Sequence, residues 1–327
     1  MATDFTWQDG ERRIRFGRGA IADAPQLLGE GYTLLTTPRA AAMAPDVVER
    51  AGAVHEVDRG QVDVVAGALL DAVDGELLVA LGGGRVVDVA KALAAARPGR
   101  RAAALPTTLS AAEMTAVHRH AAGVPADTPR VRPAIVINDP DLCASQPPVD
   151  LAASAANSLG HAVEAPLTPL ASPVPTMAAH EAARLTAQAF RAGEPDREAL
   201  ALAALLSGYA IGAAWYGLHH VMSQTLVRVG GAGHGFANAA MLPHTTAALR
   251  GRFPERLAAL DDAAGEPVEA LAARLAALAG ADGIARIGVA HERLEDCART
   301  ASERVELQLT PPAAGLDELR ALYGDAW

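Results

Sequence analysis

With 327 residues, half of them hydrophobic and 20% charged, the chain has material for two ordinary domains and a sizeable core, which excludes a largely disordered protein. Aromatic residues supply only 4%, so the core is built mainly from Ala, Leu and Val, a composition that suits packed helices better than an all-β sandwich. The net charge of −10 excludes the basic footprint that a nucleic-acid partner would need.

Cys143 and Cys297, without CxxC spacing, make neither a disulfide framework nor a structural zinc site and point to a reducing compartment. The opening residues MATDFTWQDGERRIRF lack the apolar core of a signal peptide, and no later stretch is an uninterrupted apolar span, so the chain reads as a soluble cytoplasmic protein with no membrane partner.

In chain order, short β-type runs alternate with helical stretches up to about residue 150. The runs are RRIRF near 12, YTLLTT from 32, AVHEV from 53, ELLVAL from 76, AAALPT from 102 and AIVIND from 134. Between them, IADAPQLL, APDVVERAG, QVDVVAGALLDAV and RVVDVAKALAAA carry apolar residues at helical spacing. This predicts a parallel sheet with crossover helices, the outline of an α/β dinucleotide-binding domain over residues 1–148. Segment 121–133, AAGVPADTPRVRP, reads as an exposed loop leading back to the last strand. At QPPVD a proline pair precedes a capping Asp150, and beyond it the β-type runs vanish. LAASAANSLGHAVEA, TMAAHEAARLTAQAFRAG, REALALAALLSGYAIGAAW and VEALAARLAALAG predict an all-α domain over 149–327, broken by TPLASP and VGGAG.

Three glycines, Gly82, Gly83 and Gly84, fall where the apolar strand ELLVAL ends and a helix begins. Without Cβ atoms the backbone can approach a ligand closely, and the free amides at a helix start attract a pyrophosphate. A plain strand-to-helix turn has the same appearance, and the spacing is not GxGxxG. Arg85, Asp88 and Lys91 on the following turns form either a solvated charged face or groups that reach ribose and phosphates. Twenty residues on, LPTTLSAAEMT presents Thr107, Thr108 and Ser110 at the end of the neighbouring strand, as phosphate or nicotinamide donors or as simple caps.

The helical half is rich in histidine. Asn157 and His161 lie four apart on one helix face, His219 and His220 open another helix, and His234 starts a third among glycines. Such histidines are either core and capping residues or the three protein ligands of a metal with an open position.

Taken together, GGGRVVDVAK from 82, PTTLSAAEMT from 106, NDPDL from 138, NSLGHAVEA from 157, GLHHVMSQTL from 217 and HGFANAAMLPH from 234 resemble the iron-containing alcohol dehydrogenase superfamily, and within it the maleylacetate reductases. The resemblance implies a dehydroquinate synthase-like architecture, an α/β nucleotide-binding domain followed by an all-α domain. It further implies NAD(H) or NADP(H) held by Gly82, Gly83, Gly84, Asp88, Lys91, Thr107 and Thr108. Hydride would pass in the interdomain cleft to a small-molecule substrate, a keto acid or aldehyde, with His161, His220 and His234 as catalytic residues. In metal-using members an Asp and three His hold iron or zinc, and the matching metal positions are Asn157, His161, His220 and His234. Asn157 offers an amide where the carboxylate stands, as maleylacetate reductases do, so a divalent metal is allowed but not favoured.

Other departures from the pattern are Gln224 in place of a His four residues after His220, Ala111 and Ala112 in place of Gly and Ser, and Arg85 in place of Ser. Thr36 and Thr37 lack the acid that commonly selects NAD over NADP, which leaves the cofactor open. His118 and Arg119 are candidates for a substrate carboxylate. The resemblance also implies a homodimer formed through the N-terminal sheet, with RRIRFG as its edge, and family-like segments at both ends suggest a full-length member. Two other functions are compatible with the same residues: a lyase or cyclase of the dehydroquinate synthase type, which requires a full metal set, and a non-catalytic nucleotide-binding member.

Overall fold

The computed structural model describes residues 3–191 and 193–327, and these fall into two compact units, one ending at Ser145 and the other beginning at Gln146. In the first unit seven strands, β1 (Phe5–Asp9), β2 (Arg12–Phe16), β3 (Thr33–Thr36), β4 (Ala53–Glu56), β5 (Leu77–Gly82), β6 (Arg101–Pro106) and β7 (Ile135–Asn138), form one sheet in the order β1-β2-β7-β6-β5-β3-β4. All neighbouring pairs are parallel except β1 with β2. The helices of this unit are α1 (Ala24–Leu28), α2 (Pro38–Met43), α3 (Pro45–Glu49), α4 (Val62–Leu69) and α5 (Gly84–Ala95).

The two-residue period of a strand sorts the apolar side chains into two cores. Leu35, Leu78, Ala80, Ala102 and Ala104 join Val65, Val87 and Val89 of α4 and α5 on one face. Leu34, Val79, Leu81, Ala103 and Leu105 join Ala24, Ala40 and Val47 of α1 to α3 on the other. Because both faces are covered, these strands read as continuous apolar runs, and small alanines in β6 let the helices approach closely.

Two sequence expectations are corrected in this unit. FTWQD, not read as a strand, forms the antiparallel edge β1. The turn Gly10–Glu11 joins Asp9 to its partner Arg12, with Gly10 at φ +60°, a conformation glycine adopts without a Cβ penalty. RRIRF is therefore an interior strand, hydrogen-bonded on one side to β1 and on the other to β7, and is no free edge for dimerisation.

The second unit is helical: α6 (Pro148–Glu164), α7 (Pro173–Ala189), α8 (Arg197–Ala214), α9 (Leu218–Arg228), α10 (His234–Arg252), α11 (Pro254–Ala264), α12 (Val268–Leu278), α13 (Leu294–Ser302) and α14 (Leu316–Asp325). Of the helical stretch read through residue 193, α7 stops at Ala189, and Ala192 lies outside the described residues. Helix α6 packs against α7, α8, α10 and α12, and every residue from Ala155 to Leu167 is buried. That surround explains its run of Ala, Ser and Gly, since small side chains let helices on several sides pack closely. No single helix among the described residues is long and apolar enough to cross a membrane.

Candidate functional site

In the first unit, chain order reverses direction across the sheet between β3 and β5, since β4 continues on one side and β6 and β7 on the other. Open α/β sheets bind ligands at such a point, beyond the carboxyl ends of the strands. There the structure has a cavity of about 290 Å³ lined by Thr37, Arg39, Ala40, Met43, Gly83, Gly84, Arg85, Val86, Thr107 and Thr108. Gly83 caps α5, whose first amides face outward with the positive end of the helix dipole. None of Gly82 to Gly84 has a positive φ, so their value is close approach. A Cβ on Gly84 would sit 2.8 Å from Ser110 Oγ, and one on Gly82 would sit 2.7 Å from Val86 Cγ2. The cradle, the free helix start and the flanking hydroxyls fit the pyrophosphate of a dinucleotide.

Not every residue expected at this end faces the cavity. Lys91 is fully buried, and its Nζ donates to the carbonyls of Ala112 and Val117 at 2.8 Å and of Thr115 at 3.1 Å, while pairing with Asp88 at 2.8 Å. An ammonium has three protons, so Lys91 fastens the 112–117 loop beneath the site and is not available to a cofactor. In the same loop Ala111 holds φ +59° in the left-handed region, keeping without glycine the backbone that glycine favours, at a cost of about 1 kcal/mol.

His118 and Arg119 are likewise structural. Arg119 pairs with Asp63 at 3.2 Å and Gln61 at 2.8 Å, and the His118 ring bridges Arg119 O and Val131 N, with burial pushing its pKa down to about 4. Glu113, with no sequence signal, is buried beside Asn138 Nδ2 at 3.4 Å, and desolvation pushes its pKa up to about 7.

In the second unit, one face of α6 carries Asn157, His161 and Glu164, all buried. Glu164 organises the start of α9. Its Oε1 accepts from the amides of Gly217 at 3.2 Å and His219 at 2.7 Å, and its Oε2 accepts from the His220 amide at 3.1 Å and from His220 Nδ1 at 2.7 Å. The bond places the proton of neutral His220 on Nδ1, by inference from the network, and leaves buried Nε2 as a bare acceptor with no hydrogen-bond partner.

His161 stacks on His220 with ring centroids 4.8 Å apart and planes 15° from parallel, and its buried Nδ1 also lacks a partner. Desolvation, reinforced by repulsion among the imidazoles, pushes the pKa of His161 well below 6.5 and those of His219 and His220 to about 3, so all three are neutral near pH 7. His219 bonds Thr245 Oγ1 at 2.9 Å and abuts Gly160, where a Cβ would lie 2.6 Å from its Nε2. His234 is exposed on the first turn of α10, 3.4 Å from Asn238 Nδ2, and Asn238 accepts from Ser223 of α9. Gln224 lies one turn beyond His220 and accepts from Arg304 at 3.2 Å.

Of the residues expected as metal positions, Asn157, His161 and His220 are buried and His234 is exposed on the first turn of α10. The set holds no anion, because Glu164 is spent on amides and on His220 Nδ1. Among the described residues no three of His, Cys, Asp or Glu gather as ligands. Glu164, the residue that the sequence reading missed, had a visible signal: it follows Asn157 and His161 at helical spacing on the same face.

A switch-point sheet with a glycine cradle, followed by helices that bury oriented neutral imidazoles, defines a dinucleotide-dependent oxidoreductase. The chain belongs to the iron-containing alcohol dehydrogenase family: the family model described as "Fe-containing alcohol dehydrogenase family, C-terminal" matches residues 151–327. It is 32% identical to maleylacetate reductase 2 of Cupriavidus pinatubonensis over 78% of this chain and 77% of that one, and 30% identical to the maleylacetate reductase of a Rhizobium species over 91% of each. The crystal structure of maleylacetate reductase from Agrobacterium tumefaciens superposes with a TM-score of 0.84 at 27% identity, covering 100% of this chain and 99% of that one.

Proposed function

We propose that the chain is a cytoplasmic NAD(P)H-dependent reductase of a small conjugated keto acid, with maleylacetate the first candidate, acting as a homodimer. The dinucleotide is held by Gly82, Gly83, Gly84, Thr107 and Thr108, with Asp88 and Lys91 supporting the loop from beneath, and supplies hydride to the electrophilic carbon. Catalysis by His161, His220 and His234 of the helical domain is part of the same reading, and no step is assigned to a metal.

The observation that carries it is the 2.7 Å bond from His220 Nδ1 to Glu164, which leaves Nε2 free to exchange a proton. Burial raises the Glu164 pKa and lowers that of His220, so when the pair takes up a proton it rests as a neutral acid hydrogen-bonded to an imidazole protonated at Nε2. As hydride arrives and charge builds on the substrate, Nε2 gives up that proton, Nδ1 takes the proton of Glu164, and the carboxylate is restored for its three amide donors.

The test is nicotinamide fluorescence titration followed by cofactor oxidation with maleylacetate, simple aldehydes and ketones. Saturable binding with keto-acid-dependent oxidation supports the reading. No binding of either dinucleotide at millimolar concentration overturns it.

A further inference from the structure

We infer that the switch-point cavity is built for the 2′-phosphate of NADP(H), read by Arg39 and Arg85. The inference rests on the dinucleotide reading of that cavity and goes beyond it in choosing the cofactor. These two arginines are the charged residues of the lining, and no carboxylate joins them there. Arg39 is exposed, and among the described residues its hydrogen bonds go to Ser145, its Nη2 donating to the backbone oxygen and to Oγ at 2.8 Å each. Arg85, on the first turn of α5, makes no ion pair among the described residues, and its Nε is buried without a hydrogen-bond partner.

By contrast, Arg15, Arg250, Arg274 and Arg320 each hold carboxylates at hydrogen-bond distance. Two uncompensated guanidinium groups at one cavity, in a protein of net charge −10, leave an anionic partner to be supplied from outside.

One pyrophosphate on the α5 amides supplies an acceptor to one edge of Arg85. It does not account for Arg39, which sits beyond the end of β3, where a ribose-binding acid stands in NAD-selective sheets. That position has no acid. Thr36 Oγ1 donates to Leu81 O at 2.9 Å, and Thr37 Oγ1 accepts from the Ala40 amide as the cap of α2, so both hydroxyls serve the fold. A further phosphate on the ribose supplies the acceptors that Arg39 and the free edge of Arg85 lack.

Dissociation constants of NADPH and NADH, and of 2′,5′-ADP against ADP as turnover-independent probes, test the inference at low and high salt. The expected result is NADPH bound at least about tenfold tighter than NADH, a preference shrinking with salt, and Arg39→Ala weakening NADPH about tenfold more than NADH. Equal affinities for the two dinucleotides, or equal losses in Arg39→Ala, overturn the inference while leaving the dinucleotide site standing. Binding of neither overturns both.

Discussion

Glu164 Oε2 and His220 Nδ1 lie 2.7 Å apart in a fully buried bond, and the same carboxylate group accepts three backbone amides at the start of α9. One side chain therefore caps a helix and fixes an imidazole tautomer, which ties the stability of the helical unit to the orientation of its reactive nitrogen.

Glu164→Gln is the direct consequence. An amide keeps one oxygen and turns its NH2 toward donors, leaving at least one buried N–H group without an acceptor. The variant is expected to lose about 3 kcal/mol in denaturant unfolding, together with most of its turnover, because His220 is no longer held.

Gly160 and His219 share a second constraint. The His219 ring is pinned by Thr245 at 2.9 Å and cannot retreat from a Cβ arriving 2.6 Å from Nε2. Gly160→Ala is expected to cost about 2 kcal/mol or more, measured as a shift in denaturation midpoint, although alanine is the better helix former.

The strands of the sheet and the long helices were legible in the sequence because their apolar runs and helical spacing are local signals. ELLVAL and RVVDVAKALAAA occupy β5 and α5 nearly as read. β1 escaped because FTWQD is half exposed and polar at alternate positions, although its Asp-Gly turn was a hairpin signal. What the sequence hides is direction. Lys91 has the spacing of a phosphate-facing residue, yet three carbonyls of a loop more than twenty residues away draw it inward. Likewise the stacking of His161 on His220 depends on how α6 meets α9, which no spacing within either helix encodes.

Ala111 offers a stabilising change. Its φ of +59° is one that glycine adopts freely, so Ala111→Gly relieves local strain while adding some unfolded-state entropy. The net expectation is a gain of about 0.5 kcal/mol, seen in calorimetry as a rise of about 1–2 °C in Tm. A fall in Tm would show that the loop tolerates this backbone without strain.

Glu113 makes the stability of the nucleotide unit depend on pH. In the fold it keeps its proton up to about pH 7, whereas the unfolded chain releases it near 4.5. Between those values the unfolded chain binds fewer protons, so the stabilisation from the neutral acid is complete below pH 4.5 and is lost as pH rises through 7. Glu113→Gln removes that loss. Relative to wild type it gains on the order of 3 kcal/mol between pH 4.5 and 8, followed by chemical denaturation across that range.

The central claim, hydride transfer from a nicotinamide to a small keto acid, is tested most directly by following the isotope. With NADPH deuterated at the transferable C4 position and maleylacetate as acceptor, the account predicts one deuterium on a carbon of the product. Cofactor left unoxidised by every carbonyl acceptor tried, or product formed without the label, would contradict it.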